Sequence, residues 1–338
     1  MAVDVAKLYE LCDVLSSADA SVDEKTAAFT TVLAGSQAGT QERRLASQLI
    51  CRYFGNFPDL QTKALESLFA ICEEEEVSFR KSLVRQLAPL CRKAPGHVNR
   101  IADVLTQLLQ TDDAAELDVV QQALAALVRQ YKKDALSAVF ANILTAEDEA
   151  VRERALKFLA LKLKTFGEQV MDAQLEEYVF AESKKILQDV TGEEFVLIMY
   201  TLQSMKLFQT VKGRQQLLAL VKEQAELDKP FNATDADRVE QVCQCLKQAA
   251  PYLSRSVHST EMVAFLLTEA LPKLDELPTV ERSTTAEADA DKGDSDHRQL
   301  TNPKRLELLR ILADLAQFCG PNLQGADEAL RRLVHMLM

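Results

Sequence analysis

Apolar residues recur along this chain at the spacing of one helical face. Val5, Leu8, Cys12 and Leu15 make a first stripe at i, i+3, i+7 and i+10, the interval at which side chains stack on one side of an α-helix. Residues 27–33 continue it after a polar turn, and Leu45, Leu49 and Tyr53 form a stripe that Gly55, Asn56, Phe57 and Pro58 stop. Leu60, Ala64, Leu68 and Ile71 come next, then Phe79, Leu83, Leu87 and Leu90 up to Ala94, Pro95 and Gly96. Proline and glycine there end a helix. Ile101, Leu105, Leu108 and Leu109 mark a further helix, and residues 120–128, 136–144 and 151–163 mark three more. Beyond them the pattern is less regular and predicts helices at about 168–189, 192–206, 213–227, 235–252, 257–272, 303–319 and 325–338. Thr191 followed by Gly192, Glu193 and Glu194 reads as a helix start with acids in its first turn.

The helix openings themselves repeat. Acidic residues, a small or β-branched anchor and an arginine stand together at Glu149-Ala150-Val151-Arg152, at Glu76-Val77-Ser78-Phe79-Arg80 and, more loosely, at Gln41-Glu42-Arg43-Arg44. Arg44 and Arg80 are 36 positions apart, Arg152 lies two such periods further on, and residues 114–127 fill the intermediate copy. Such a period predicts an all-α chain folded as an α-solenoid, because one helical pair cannot bury its apolar face alone and must stack on its neighbours. The signature fades near residue 190, which places a boundary between residues 1–190 and 191–338. Residues 277–302 are poor in apolar groups and acidic, so a mobile loop and the first target of a protease are expected there. The apolar run over 333–338 has no capping residue, and further protein is expected to follow it.

Composition narrows the class. Hydrophobic residues make up 47% of the 338, with only 10 Gly, 9 Pro and no Trp, which favours helices over sandwiches and barrels. The net charge of −12 opposes nucleic acid and anionic membrane. From Asp275 to Arg298 acids outnumber bases eight to three. The 7 cysteines include no CxxC pair, so buried reduced thiols are expected rather than disulfides or a zinc site. No run approaches the ~18 apolar residues of a membrane span, and residues 1–10 lack the apolar core of a signal peptide. An intracellular, soluble protein is the expectation.

Several stretches go beyond a generic repeat. They are Arg100-Ile101-Ala102-Asp103-Val104-Leu105, Val151-Arg152-Glu153-Arg154-Ala155-Leu156, Glu182-Ser183-Lys184-Lys185, Thr191-Gly192-Glu193-Glu194-Phe195 and Gly213-Arg214-Gln215-Gln216-Leu217. Together they resemble the apoptosis inhibitor 5 family from about Glu10 onward. The resemblance implies a scaffold that is HEAT-like over 1–190 and armadillo-like over 191–338, and a mainly nuclear, anti-apoptotic protein that acts by binding other proteins. It implies partners such as the chromatin-condensation factor Acinus and a fibroblast growth factor. It also implies a leucine-zipper-like helix and a basic tail further along. The family is shorter where this chain has residues 280–300. A nuclear transport or RNA-processing adaptor is the alternative role for such a solenoid.

Two motifs bear on function. Leu105-Thr106-Gln107-Leu108-Leu109 is an LxxLL sequence, which on a free helix docks in a partner's groove. Leu105 and Leu108 share the stripe that packing requires, so a place in the core is the favoured reading. Arg152 and its relatives predict a ladder in which an arginine meets acids of the adjacent repeat. The other basic residues are spread over several faces: Lys81, Arg85 and Arg92 on one, Arg154, Lys157 and Lys164 on another. Arg154, Lys157, Lys184, Lys185, Lys206 and Arg214 are the candidate anion-binding set, suited to an acidic peptide or an inositol phosphate. His97, His258, His297 and His335 stand apart from any metal or nucleophile pattern, and the HExxH, GxSxG and P-loop motifs are absent. No enzyme and no cofactor is expected.

Overall fold

The computed structural model describes residues 3–72, 76–146, 148–277 and 303–320. Among these residues the structure is helical, and the one β pairing joins Ser254 to Val257. The chain divides into two compact units, Met1–Ile186 and Leu187–Met338.

In the first unit the helices are α1 (Val5–Ser16), α2 (Val22–Gly35), α3 (Thr40–Tyr53), α4 (Gln61–Ile71), α5 (Val77–Lys93), α6 (Val98–Gln107), α7 (Ala114–Thr145), α8 (Glu149–Lys162) and α9 (Ala173–Ile186). Their starts are chemically marked. Ser21 and Glu24 form a capping box on α2, and the side chains of Asp4, Asp113 and Asp148 accept from the first free amides of α1, α7 and α8. From α1 to α8 each helix lies against the next, and the contacts of α1 with α3, α3 with α5, α5 with α7 and α7 with α9 make one helix touch the next but one. That is the stacking expected of repeats that complete each other's cores. Phe29, Ile50, Leu65, Leu87, Ile101, Phe140 and Phe158 are fully buried along it, each contributing about 1.5–3 kcal/mol. The stripes at 120–128 and 136–144 are the two arms of α7, separated at Lys132, whose φ of 31° and ψ of −102° break the helix. A lysine held at positive φ is strained, and its ammonium is tied to Asp172 at 2.5 Å.

The second unit contains α10 (Gly192–Gln203), α11 (Val211–Gln224), α12 (Ala236–Lys247), α13 (Thr260–Phe265) and α14 (Pro303–Ala316). Here the observed helices are shorter than the periodicity suggested. The segment expected as one helix over 257–272 is α13, then a π-turn at Leu266–Ala270 and a 3-10 stretch at Leu271–Glu276. Pro272 lacks the amide that a continuing α-helix needs. In the same way the helix expected over 235–252 stops at Lys247, and Pro251 sits in the 3-10 turn Ala250–Tyr252. Ser259 ties the start of α13 to the end of α14, its hydroxyl donating to the Leu315 carbonyl at 2.5 Å. Of the loop expected at 277–302, only Leu277 is described and it is buried, and residues 278–302 and the helix expected at 325–338 lie outside the described residues. No described helix is long and apolar enough to cross a membrane.

Candidate functional site

The six candidate cations fall in both units, with Arg154, Lys157, Lys184 and Lys185 in the first and Lys206 and Arg214 in the second. On α8, Arg154 reaches Asp112 at 3.8 Å, and Lys157 is paired with Glu153 one turn back. The Lys157 hydrogen bond holds the Glu153 carboxyl below the usual carboxylate range. At the end of α9, Lys184 lies over the Phe180 ring at 4.6 Å and Lys185 meets Glu182 at 2.8 Å. Both lysines also face the negative end of the helix dipole. Lys206 is exposed in the 3-10 turn Lys206–Gln209, and Arg214 is half-buried in the first turns of α11. The structure thus sets Arg154 and Lys157 together on α8, and Lys184 and Lys185 together on α9. Each of these four has a partner of its own.

The LxxLL segment crosses a change of helix type. α6 ends at Gln107, and Leu108–Gln110 is a 3-10 turn that packs on α7 and α8. Leu105 and Leu109 are fully buried, whereas Leu108 is half-buried. The buried stripe therefore runs Ile101, Leu105, Leu109, spaced at i, i+4 and i+8, with Leu108 beside it and partly exposed.

The arginines at the helix openings do reach across repeats. Arg44 pairs with Glu76. Arg80 donates through Nε and Nη2 to the two carboxylate oxygens of Glu116, at 2.7 and 2.6 Å, and Thr111 donates to the same carboxylate at 2.8 Å. Glu116 is only 2% exposed, and the Arg80 hydrogen bonds hold its carboxyl below the usual range against the opposing effect of burial. The hydrogen bond seen for Arg152 goes to the Ile143 carbonyl at 2.9 Å. Sequence reasoning did not single out Glu116. Its signal was the 36-residue interval from Arg80, the same as the interval between the arginines themselves.

Most of the cysteines in this framework are buried. Burial pushes the thiols of Cys51, Cys243 and Cys245 up to about 12 and that of Cys91 to about 11, so these sulfurs stay protonated and unreactive. No group of three or more His, Cys, Asp or Glu placed to hold a metal occurs among the described residues. The surface offers shallow grooves between alternate helices, one between α3 and α5 near Gln48 and Ser82, another between α5 and the first arm of α7.

Comparison with known proteins adds a family. The family described as Apoptosis inhibitory protein 5 (API5) matches residues 5–338. Apoptosis inhibitor 5 of Homo sapiens is 40% identical over 334 residues, which cover 99% of this chain and 60% of the human protein. The Pongo abelii protein of the same name is also 40% identical, over 99% of this chain and 62% of its own length. Apoptosis inhibitor 5 homolog of Drosophila melanogaster is 38% identical over 80% of this chain and 51% of the fly protein. The chain spans about three fifths of the length of the two primate relatives.

Proposed function

We propose that this chain, which belongs to the apoptosis inhibitory protein 5 family, is a helical-repeat scaffold that restrains cell death by holding other proteins. The observation that carries the reading is the family match over residues 5–338. Support for a scaffold comes from the first unit, where α1, α3, α5, α7 and α9 touch in succession and leave grooves between α3 and α5 and between α5 and α7. Stacked repeats of this kind present long surfaces rather than enclosed pockets. We read the first unit as HEAT-like and the second as armadillo-like, and the nucleus as the place of action. The partners are proteins of the cell-death machinery.

The test is replacement. Cells depleted of their own family member are given this chain and deprived of growth factors. The expected result is a lower fraction of cells with active executioner caspases than in cells given empty vector, with the chain recovered from nuclei. A well-folded, well-expressed chain that leaves cell death unchanged overturns the proposal.

A further inference from the structure

The groove between α5 and the first arm of α7 has a volume of about 270 Å³. It is lined by the buried Val119, Ala123 and Leu127, by the exposed Pro89 and Ala126, and by Arg85 and Arg92 from α5 with Gln122 and Gln130 from α7. The two arginines are exposed, and among the described residues neither has an ion pair or hydrogen bond. That sets them apart from Arg44, Arg80, Arg100 and Arg154, each of which meets a carboxylate. Asp118, beside the groove, holds the Gln122 amide at 2.6 Å rather than an arginine. Pro89 adds one more polar group. It has no amide hydrogen, so the Arg85 carbonyl one turn earlier lacks its usual helical donor. The groove therefore combines two unneutralised cations, two amides and a spare backbone acceptor around a shallow apolar floor.

From this we infer that the α5–α7 groove docks an extended acidic segment of a partner protein, with one carboxylate on Arg85 and another on Arg92. Spacing decides the form of the segment. Residues seven apart on a helix are separated by about 10 Å along its axis, too far to share a single phosphate or carboxylate. In a polyproline II segment, residues three apart lie on one side at about 9 Å. Two acids separated by two small or proline residues match that distance, and the residues between them rest on Pro89 and Ala126. Guanidinium forks suit carboxylates by forming paired hydrogen bonds. The inference deepens the scaffold reading above and rests on it for its meaning in the cell. The binding itself is measured without cells.

The experiment titrates the chain with a fluorescent peptide of Glu-Pro-Pro repeats, its Gln-Pro-Pro counterpart and inositol hexakisphosphate, at about 0.05 M and about 0.3 M salt. The Glu peptide should bind saturably at low salt and about tenfold more weakly at high salt, because exposed charges are screened. The double variant Arg85→Gln, Arg92→Gln should lose at least about tenfold in affinity, in line with two charge-assisted contacts, while its circular dichroism matches the parent. The control Lys157→Gln, Lys185→Gln should stay within about twofold, since both lysines already have acids beside them. Equal binding of the Gln peptide, indifference to the arginine variant, or no saturable binding at low salt overturns the inference. Binding of the polyphosphate without the peptide overturns it too, in favour of a small-anion site. A chain that binds the peptide but fails to protect cells overturns the proposed function and leaves the groove standing. One that protects cells but ignores the peptide overturns the groove alone.

Discussion

In the first unit, polar groups that cross between repeats are 32 to 42 residues apart, as in Arg44–Glu76, Arg80–Glu116, Asn142–Asp103, Lys132–Asp172 and Arg154–Asp112. In the second unit, the pairs made with α14 are Lys247–Glu307 and Lys304–Glu240, 60 and 64 residues apart. The longer separations include residues 278–302. With that segment set aside, they become 35 and 39, so the same period continues on either side of it. What differs is the chemistry of the pair. The first unit buries a carboxylate and meets it with a guanidinium fork. The second gathers Lys304 between Glu240 and Glu307 at a partly exposed surface. Desolvation makes the first arrangement costly to break, and solvent screening makes the second cheap.

Variants test that contrast, and the largest effect is expected in the first unit's core. Leu105→Ala removes a fully buried side chain and should destabilise by about 3–5 kcal/mol. Urea unfolding measures it, and a parent-like midpoint combined with loss of a partner would make LxxLL a docking motif instead. Glu116→Ala should cost about 3 kcal/mol, because it leaves the Arg80 guanidinium without its partner. The same pair predicts a pH dependence. The folded-state pKa of Glu116 is lowered, so its stabilisation is present above the ordinary carboxylate value of about 4.3 and is lost as pH falls through the lowered folded value. The parent's urea midpoint should therefore drop more steeply than that of Glu116→Gln as pH falls below about 4.

In the second unit, backbone approach matters more than charge. A Cβ on Gly213 would sit 2.1 Å from the Leu207 carbonyl oxygen and 2.6 Å from Phe208 Cα. Gly213→Ala should thus cost about 1–3 kcal/mol as the turn before α11 is pushed away. A melting temperature equal to the parent's would show that the turn yields freely. Lys304→Ala should cost less than about 1 kcal/mol, with a smaller loss still at high salt. A loss as large as that of Glu116→Ala would erase the distinction between the two units. Smallest of all, excision of residues 280–300 should leave the unfolding free energy in urea within about 0.5 kcal/mol of the parent if the period resumes after them. A collapse of cooperativity would place that segment inside the fold.

Periodicity along the chain determined the helices of the first unit, because stacked repeats bury one stripe per helix and the stripe is local information. The 36-residue return of arginine also announced the cross-repeat pairs. Tertiary structure decided which acid each arginine meets, since Glu116 and Asp113 both open α7 as carboxylates and only packing buries one of them. It decided that Leu109 rather than Leu108 completes the Ile101–Leu105 stripe, since both are leucines within reach of that face and only packing buries one of them fully. The breaks at Pro251 and Pro272 were written in the residues but outweighed by apolar spacing that ran past them. Sequence put the basic residues of α8 and α9 in the candidate anion-binding set and left Arg85 and Arg92 of α5 outside it. Whether a cation is neutralised depends on acids brought near by the fold or by the preceding helical turn. That is why Arg154, Lys157 and Lys185 are paired while Arg85 and Arg92 stand open at a groove.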